Sequence, residues 1–324
     1  MRRNVIFWLL PALVPLALAV CMALGAAGLG IPSLQDATGR AVFTLRINRV
    51  LAGFTVGAGL ATAGVVLQAL LRNPLAEPYV LGVSSGAGLG AAIAILSGAA
   101  AVSCLATPGL AFVCALVTLT IVYSLARSGG HISIYSLILS GVIVSSVCSS
   151  LLMFLVAIAP VEGLHNIMWW MLGDLQVSSG GLFLACAALT VAGMLCIWLM
   201  APELNALTLG EEMAHHVGVR TRLAVTLGLA LATLTTAAVV ALAGLIGFVG
   251  LIVPHAMRHL VGPDHRRLVP AAALTGGMFL ALCDAVARTL IAPREIPVGV
   301  VTALIGGPCF MMILRRRKRG WIEG

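Results

Sequence analysis

The stretch YVLGVSSGAGLGAAIAILSGAAAVSCLATPGLAFVCALVTLTIVYSLA, residues 79–126, contains no charged residue and is followed directly by Arg127. A helix that crosses a bilayer needs about 20 apolar residues, so this run is too long for one crossing and long enough for two. Ser97-Gly98 and Thr107-Pro108-Gly109 are turn signals within it, and they predict where the chain reverses. A charge-free run of this length indicates a chain that is buried in lipid.

The same apolar composition runs through all 324 residues. Hydrophobic residues make up 60% of the chain and charged residues only 9%, and the mean hydropathy is +1.10. A soluble domain of this length needs far more charge to cover its surface. Residues 5–27, which follow Arg2 and Arg3, form an apolar run too long for the core of a signal peptide. We interpret them as the first membrane helix.

Apolar runs between charged residues and Pro or Gly breaks predict ten membrane-spanning helices. Besides residues 79–126, the stretch from Leu223 to Val261 is long enough for two helices, with a glycine-rich break that begins at Gly244. The predicted spans cover roughly residues 5–27, 50–70, 79–98, 107–126, 134–159, 180–200, 223–243, 245–262, 269–291 and 297–314.

The placement of basic residues tests this count, because cytoplasmic loops of membrane proteins carry an excess of Arg and Lys. With the N-terminus in the cytoplasm, merging either ambiguous pair of helices would move the basic C-terminal run at 315–319 outside. Ten spans keep that run inside. Of the 19 basic residues, only five then fall outside, and these are Arg40, Arg46, Arg49, Arg288 and Arg294.

The predicted fold class is therefore all-α, a polytopic membrane protein with ten transmembrane helices and both termini in the cytoplasm. Residues 1–324 form a single transmembrane domain, within which residues 202–222 are the longest cytoplasmic loop. Ten helices divide into five plus five, and an odd number of helices in each half makes the two halves an inverted repeat.

Several chemistries are missing from this sequence. Lys318 is the only lysine, and Arg319 and Gly320 follow it, so the chain has no P-loop of the form GxxxxGK[ST]. Any ATPase that drives it is another subunit. The eight cysteines form no CxxC pair, and His255 and His259 share a helix face with no glutamate after His255. We therefore predict no metal, no cofactor, no enzymatic activity and, with the basic residues in short clusters between apolar runs, no nucleic-acid partner.

Asp284 is the only carboxylate well inside a predicted span, and Arg288 lies four residues further on, in position to pair with it. A secondary transporter normally needs an ionisable group at membrane depth. An ion-coupled secondary transporter that uses Asp284 is therefore one alternative function, and a channel or structural membrane protein without an ATPase partner is another. For Asp284 and Arg288 we favour a structural ion pair.

The cytoplasmic loop at 202–222 contains a short amphipathic pattern. Leu209, Met213 and Val217 repeat at i, i+4 and i+8, and the acidic and histidine side chains lie mostly off that stripe. The pattern predicts a helix that ends at Gly218. Helices that lie on a lipid surface usually carry Lys and Arg on the polar face, whereas this one carries two glutamates, which favours a protein partner.

Four loop motifs are more strongly patterned than simple connections require. They are QALLRNPLAEP running into LGVSSGA at 68–87, the amphipathic loop at 202–222, GFVGLIVPH leading to DHR at 247–266, and EIPVGVVTALIGGP at 295–308. In this order and spacing, over about residues 40–315, they resemble the FecCD-type permease family of type II ABC importers, which take up iron–siderophore complexes, haem and cobalamin.

This resemblance implies a transport subunit of the bacterial inner membrane. Permeases of the family form homodimers or close heterodimers, and substrate passes along the dimer axis. A periplasmic or lipid-anchored substrate-binding protein docks outside, and two ATP-binding cassette ATPase subunits dock inside. The expected function is import of an iron chelate, with a siderophore complex preferred to haem or cobalamin on family frequency alone.

The resemblance also implies roles for three sets of residues. The ATPase-coupling residues match Leu209, Gly210, Glu211, Glu212, Met213, Ala214, His215, Val217 and Gly218. The arginines that dock the binding protein match Arg46, Arg49 and Arg288, and the cytoplasmic gate matches Ser133, Ile134 and Tyr135.

Overall fold

The computed structural model describes residues 2–25, 28, 30–128, 131–177 and 179–322, and these are largely α-helical. Side chains are described for all of them except Arg2, Ser128, His131, Ile132, Ile134 and residues 313–322. The helices are α1 (Arg2–Ala23), α2 (Ala37–Leu70), α3 (Val83–Leu96), α4 (Ala99–Val102), α5 (Ala106–Ala126), α6 (Ile134–Ala157), α7 (Val161–Met171), α8 (Gly180–Leu199), α9 (Ala201–Leu207), α10 (Glu211–His216), α11 (Thr221–Ala243), α12 (Val249–Val261), α13 (His265–Thr289) and α14 (Val298–Ile322). A 3₁₀ turn at Pro78–Leu81 precedes α3, and strands β1 (Arg127–Ser128) and β2 (His131–Ile132) pair antiparallel with Arg127 opposite Ile132.

Seven helices of the described chain are long and apolar enough to cross a membrane, and they are α1, α2, α5, α6, α8, α11 and α13. They match seven of the predicted spans. The other predicted spans correspond to the shorter helices α3 and α12 and to α14, whose apolar part is Val298–Met312. The all-helical membrane fold is therefore confirmed, while the number of ten crossings and the cytoplasmic position of the termini stay predictions.

The reversal inside the charge-free run occurs at the first of the two predicted turns. Gly98, with a φ of +75°, ends α3, and α4 follows it. Thr107-Pro108-Gly109 marks the far end of the reversal, since Pro108 lies in the first turn of α5, which begins within one residue of the predicted span at 107–126. A proline is tolerated there, since the first N–H groups of a helix have no partner within the helix.

The central helix of the bundle, α2, begins much earlier than residue 50. The Asp36 side chain accepts a hydrogen bond from the Gly39 N–H and caps the helix at that point. Arg40, Arg46 and Arg49 therefore lie within α2 and not in an outer loop as predicted. The prediction began the helix after these arginines because a charge inside a membrane helix needs a partner, and most of the groups that bind them are distant in sequence.

Helix α2 is enclosed by its neighbours, and 83% of its most apolar 18-residue stretch is buried. Glycines allow the closest approaches. A Cβ atom on Gly57 would meet the backbone carbonyl of Gly276 in α13, and one on Gly64 would meet that of Gly250 in α12. Small residues at helix crossings let backbones pack closely where lipid provides no hydrophobic drive between helices. The glycine-rich composition thus serves packing around α2.

Candidate functional site

The predicted ATPase-coupling residues lie at 209–218, and we call this stretch the coupling segment. It contains the short helix α10, with Gly210 before the helix and Gly218 after it. Gly210 has a φ of +112° and Gly218 a φ of +86°, conformations that glycine adopts at least cost. The predicted helix that ends at Gly218 is confirmed, since Val217 is its C-terminal cap. Its start differs from the pattern, because Leu209 precedes Gly210 and the separate helix α9 occupies the beginning of the loop.

The apolar stripe of this segment is open to solvent or to a partner. Leu209, Met213 and Val217 are 69%, 53% and 65% exposed, whereas Ala214 is fully buried against the rest of the chain. Side chains such as these are usually covered when a helix docks on another surface. The exposure supports the ATPase-coupling prediction, which stays a prediction.

Helix α9, which carries the coupling segment, is tied to the start of α13. Asn205 Nδ2 donates to Asp264 Oδ1 at 2.8 Å, and the His265 backbone N–H donates to Asn205 Oδ1 at 2.9 Å. The hydrogen bond from Asn205 lowers the pKa of Asp264 below its ordinary value, because it stabilises the carboxylate. The DHR motif drew attention to Asp264, but sequence reasoning missed Asn205, since a single loop asparagine gives no sign of its partner.

A groove of about 560 Å³ joins the coupling segment to the predicted gate. Its walls include Arg72, Ser133, Tyr135 and residues 209–213. The Tyr135 side chain is exposed at the first turn of α6. The side chain of Ile134 lies outside the described residues. The structure thus brings two of the three gate residues beside the coupling segment, and their role as a gate stays a prediction.

The three arginines predicted to dock the binding protein do not form an exposed rim. Arg46 is only 7% exposed and Arg288 only 3%. The Arg46 guanidinium donates to three backbone carbonyls within residues 22–30, at 2.8 to 3.1 Å. Buried guanidinium groups are committed to the fold, because their charge and N–H groups must be satisfied there. Docking by these arginines stays a prediction that their burial does not favour.

Asp284 lies at the centre of an ion-pair network. Its two carboxylate oxygens contact Arg49 Nε and Arg288 Nε, each at 2.9 Å, and Arg49 Nη1 contacts Glu295 Oε2 at 2.7 Å. The structural pair predicted for Asp284 and Arg288 is confirmed, and Arg49 and Glu295 are members that the sequence did not reveal. Asp284 is fully buried. The network does not favour the secondary-transporter alternative, because its central carboxylate is enclosed by structural partners.

Two helix breaks meet inside the bundle, one before α3 and one before α12. A Glu77 carboxyl oxygen accepts a hydrogen bond from the Phe248 N–H at 2.6 Å. The Tyr79 hydroxyl donates to the Ile246 carbonyl and accepts from the Ile246 N–H, both at 3.0 Å. Broken backbone at membrane depth is tolerated when protein groups satisfy it. Both segments belong to motifs singled out in the sequence, but their mutual contact was not predicted.

One face of α6 is left uncovered by the described chain. It carries exposed apolar side chains such as Leu139, Val147 and Phe154. Three serines along the helix, Ser146, Ser149 and Ser150, are exposed as well. Small polar residues are enriched where membrane helices meet protein. This face suits a protein surface or a water-filled path more than lipid.

No group of three or more His, Cys, Asp or Glu side chains in the described part of the chain is placed to hold a metal ion. His255 and His259 do approach, with 3.3 Å between their Nε2 atoms. A pair of imidazoles supplies two of the four ligands of a tetrahedral site. The groove beside the coupling segment and the exposed coupling stripe are the features that best indicate function.

Known proteins match nearly the whole chain. The model of the FecCD transport family matches residues 13–316. The cobalamin import system permease protein of Halobacterium salinarum is 45% identical over 277 residues, which are 86% of this chain and 74% of that protein. The hemin transport system permease protein of Yersinia pestis is 38% identical over 94% of this chain and 95% of that protein.

A solved structure has the same fold. It is an inward-facing conformation of a metal-chelate type ABC transporter, and its chain superposes on this one with a TM-score of 0.88 at 33% sequence identity. The alignment covers 97% of this chain and 99% of that chain. The similarity therefore extends over the bundle, the coupling segment and the helix breaks together.

Proposed function

This chain belongs to the FecCD transport family, and we propose that it is the permease subunit of an ATP-driven importer that carries an iron chelate across the bacterial inner membrane. As a member of that family it is a multi-pass ABC importer permease, a transport subunit and not an enzyme. The observation that carries the proposal is the exposed stripe of Leu209, Met213 and Val217 beside the groove that reaches Tyr135.

The proposed assembly contains two permease chains, two ATPase subunits and an outer substrate-binding protein. The uncovered face of α6 supports a second copy on that side, because the exposed serines among its apolar residues suit a protein neighbour or a water-filled path more than lipid. The exposed serines, Ser146, Ser149 and Ser150, would then border the path between the two copies. A path lined by small hydroxyl groups would bind a large chelate only weakly. The binding protein would therefore provide most of the selectivity.

The proposed coupling runs through two contacts of the coupling segment. When the ATPases close on nucleotide, the docked α10 moves, and α9 moves with it. The Asn205–Asp264 hydrogen bond passes the displacement to α13, and Tyr135 at the start of α6 lines the groove whose shape changes when α10 moves. Nucleotide binding shifts the bundle between outward-open and inward-open states only if the ATPase contacts differ between them.

The substrate class follows from the named relatives. They import cobalamin and hemin, and the solved structure is of a metal-chelate type transporter. We therefore propose a metal chelate, and an iron–siderophore complex as the specific choice. Uptake of ferric siderophore, haemin and cobalamin by cells that express the chain with its own partners tests this. Uptake of haemin or cobalamin alone would reject the siderophore and leave the permease assignment standing.

Replacing Met213 with aspartate is expected to reduce ATPase stimulation and transport by at least about tenfold, equivalent to roughly 1.4 kcal/mol of lost association. The reason is that docking would bury a carboxylate in an apolar contact. The measurements are co-purification of the ATPase and the substrate-stimulated ATPase rate in proteoliposomes. His216→Asp, which adds the same charge off the stripe, is the matched control. Full coupling in Met213→Asp would reject α10 as the ATPase contact.

Charge reversal separates docking arginines from structural ones. Arg40 and Arg294 are exposed and are predicted to lie on the same side of the membrane as the half-buried Arg49. We expect Arg40→Glu with Arg294→Glu to weaken association of the binding protein more at low salt than at high salt, because exposed charges are screened. Arg49→Glu is expected to lower the yield of folded chain instead. A folded Arg49→Glu protein with salt-dependent loss of docking would restore the original assignment.

A further inference from the structure

A basic cavity lies where the end of α5 meets the start of α11, separate from the groove of the coupling segment. Its volume is about 510 Å³. Both helix ends lie on the side predicted to face the cytoplasm. The residues that line the cavity are Tyr123, His215, Arg220, Thr221, Arg222, Leu223 and Thr226. The described lining therefore contains two arginines, a histidine and three hydroxyl groups, and no carboxylate.

The positive charge of this cavity is not neutralised within the described part of the chain. Neither Arg220 nor Arg222 belongs to the ion pairs found there. Glu211 and Glu212 lie on the same short helix as His215, but they line the groove of the coupling segment and not this cavity. Two arginines that converge on one cavity without an acidic partner are suited to bind an anion, and arginine binds phosphate especially well.

A hydroxyl pair adds a neutral donor to the charged groups. Tyr123 Oη and Thr226 Oγ1 lie 2.9 Å apart and link α5 to α11. Each hydroxyl has one hydrogen to donate, and the bond between them uses one of the two. The other hydrogen can therefore point to a ligand oxygen, so the cavity combines charge with a fixed hydrogen-bond donor.

An apolar surface continues from the cavity toward the bilayer. Leu223, which lines the cavity, and Leu227, one turn further along α11, are both exposed within the chain. A free phosphate gains nothing from contact with an apolar surface. A phospholipid needs both a site for its headgroup and an apolar path for its acyl chains. Basic pockets between membrane helices on the cytoplasmic side suit anionic lipid headgroups.

We propose that this cavity binds the phosphate headgroup of an anionic phospholipid, whose acyl chains lie along the exposed surface of α11. The proposal rests on the cytoplasmic orientation that the proposed function includes. Because His215 belongs to α10, a bound lipid also holds the base of the coupling segment at the membrane surface. The lipid composition would then influence how firmly α10 is positioned for the ATPase.

Native mass spectrometry of the full-length chain, purified in detergent and supplied with equal amounts of dioleoylphosphatidylglycerol and dioleoylphosphatidylcholine, tests the site. We expect selective retention of phosphatidylglycerol. The variant R220Q/R222Q is expected to lose retention by about fivefold for each arginine. R266Q/R267Q, which removes two exposed arginines at the start of α13, is the matched control and is expected to retain the lipid.

Equal loss in the two double variants, or no loss in R220Q/R222Q, would overturn the proposal. Displacement of the lipid by inorganic phosphate alone would also overturn it, because the site would then bind a free anion. If R220Q/R222Q does not fold, R220Q and R222Q tested singly provide the same comparison. The readout needs neither substrate nor ATPase, so failure of the permease proposal is seen in transport and coupling, and failure of the lipid site is seen here.

Discussion

Replacing Asp284 with asparagine is expected to destabilise the folded chain by about 3–5 kcal/mol, the usual cost of breaking a buried ion pair from one side. The substitution removes the charge that faces both Arg49 and Arg288, while leaving two guanidinium groups at the site. Arg49 keeps Glu295 as a partner, but Arg288 is 3% exposed and has no other acid in the described network. Thermal unfolding in detergent and the yield of monodisperse protein measure the effect.

Two comparisons make this prediction specific. Glu162→Gln removes an exposed carboxylate at the start of α7 and is expected to leave stability unchanged. Asp284→Leu combined with Arg288→Leu is expected to recover much of the loss, because both charges leave the interior together. A stable Asp284→Asn protein that assembles, stimulates the ATPase and fails only in transport would support proton coupling through Asp284.

Replacing Gly276 with leucine is expected to prevent most of the chain from folding, at a cost of at least about 3 kcal/mol, the upper range for overpacking a core. A Cβ atom at this position would press on Ala61 and on the backbone carbonyl of Gly57. Neither contact is the flexible end of a side chain, so α2 and α13 would have to separate. The yield of monodisperse protein after detergent extraction is the measurement.

Gly109→Leu is the control for this second substitution. Gly109 also lies in a membrane helix, α5, but a Cβ atom there meets nothing within 4 Å. We expect that variant to fold and to retain ATPase stimulation. Normal folding of Gly276→Leu would mean that α2 and α13 do not cross as closely as the structure has them, and the central position of α2 would be in doubt.

The helical segments could be predicted largely from the sequence, because a lipid solvent imposes a local rule. Each crossing must present a run of apolar residues and satisfy its own backbone, so hydropathy locates the helices. The same rule misplaced the start of α2. Arg46 and Arg49 look like outer-loop charges in the sequence, whereas Arg49 is neutralised by Asp284, 235 residues away. A partner that distant has no local signature.

One part of the candidate site could likewise be predicted from the sequence, and another part could not. The coupling segment was predictable because Leu209, Met213 and Val217 form a repeat within ten residues. Its attachment through Asn205 to Asp264 was not, since the two residues are 59 positions apart in the chain. Nor was the meeting of Glu77 with Phe248, although both lie in motifs that the sequence singled out.

By itself, the sequence determined that this chain is an all-helical membrane protein, that it has no P-loop of its own, and that the loop at 202–222 carries an amphipathic helix. These properties depend on residues near each other in the chain. Only the tertiary structure decided that Arg46 and Arg288 are buried, that side chains of one helix break satisfy the backbone of the other, and that Tyr135 lies beside the coupling segment. The physical reason is that burial and charge neutralisation belong to pairs of residues, and packing alone selects those pairs.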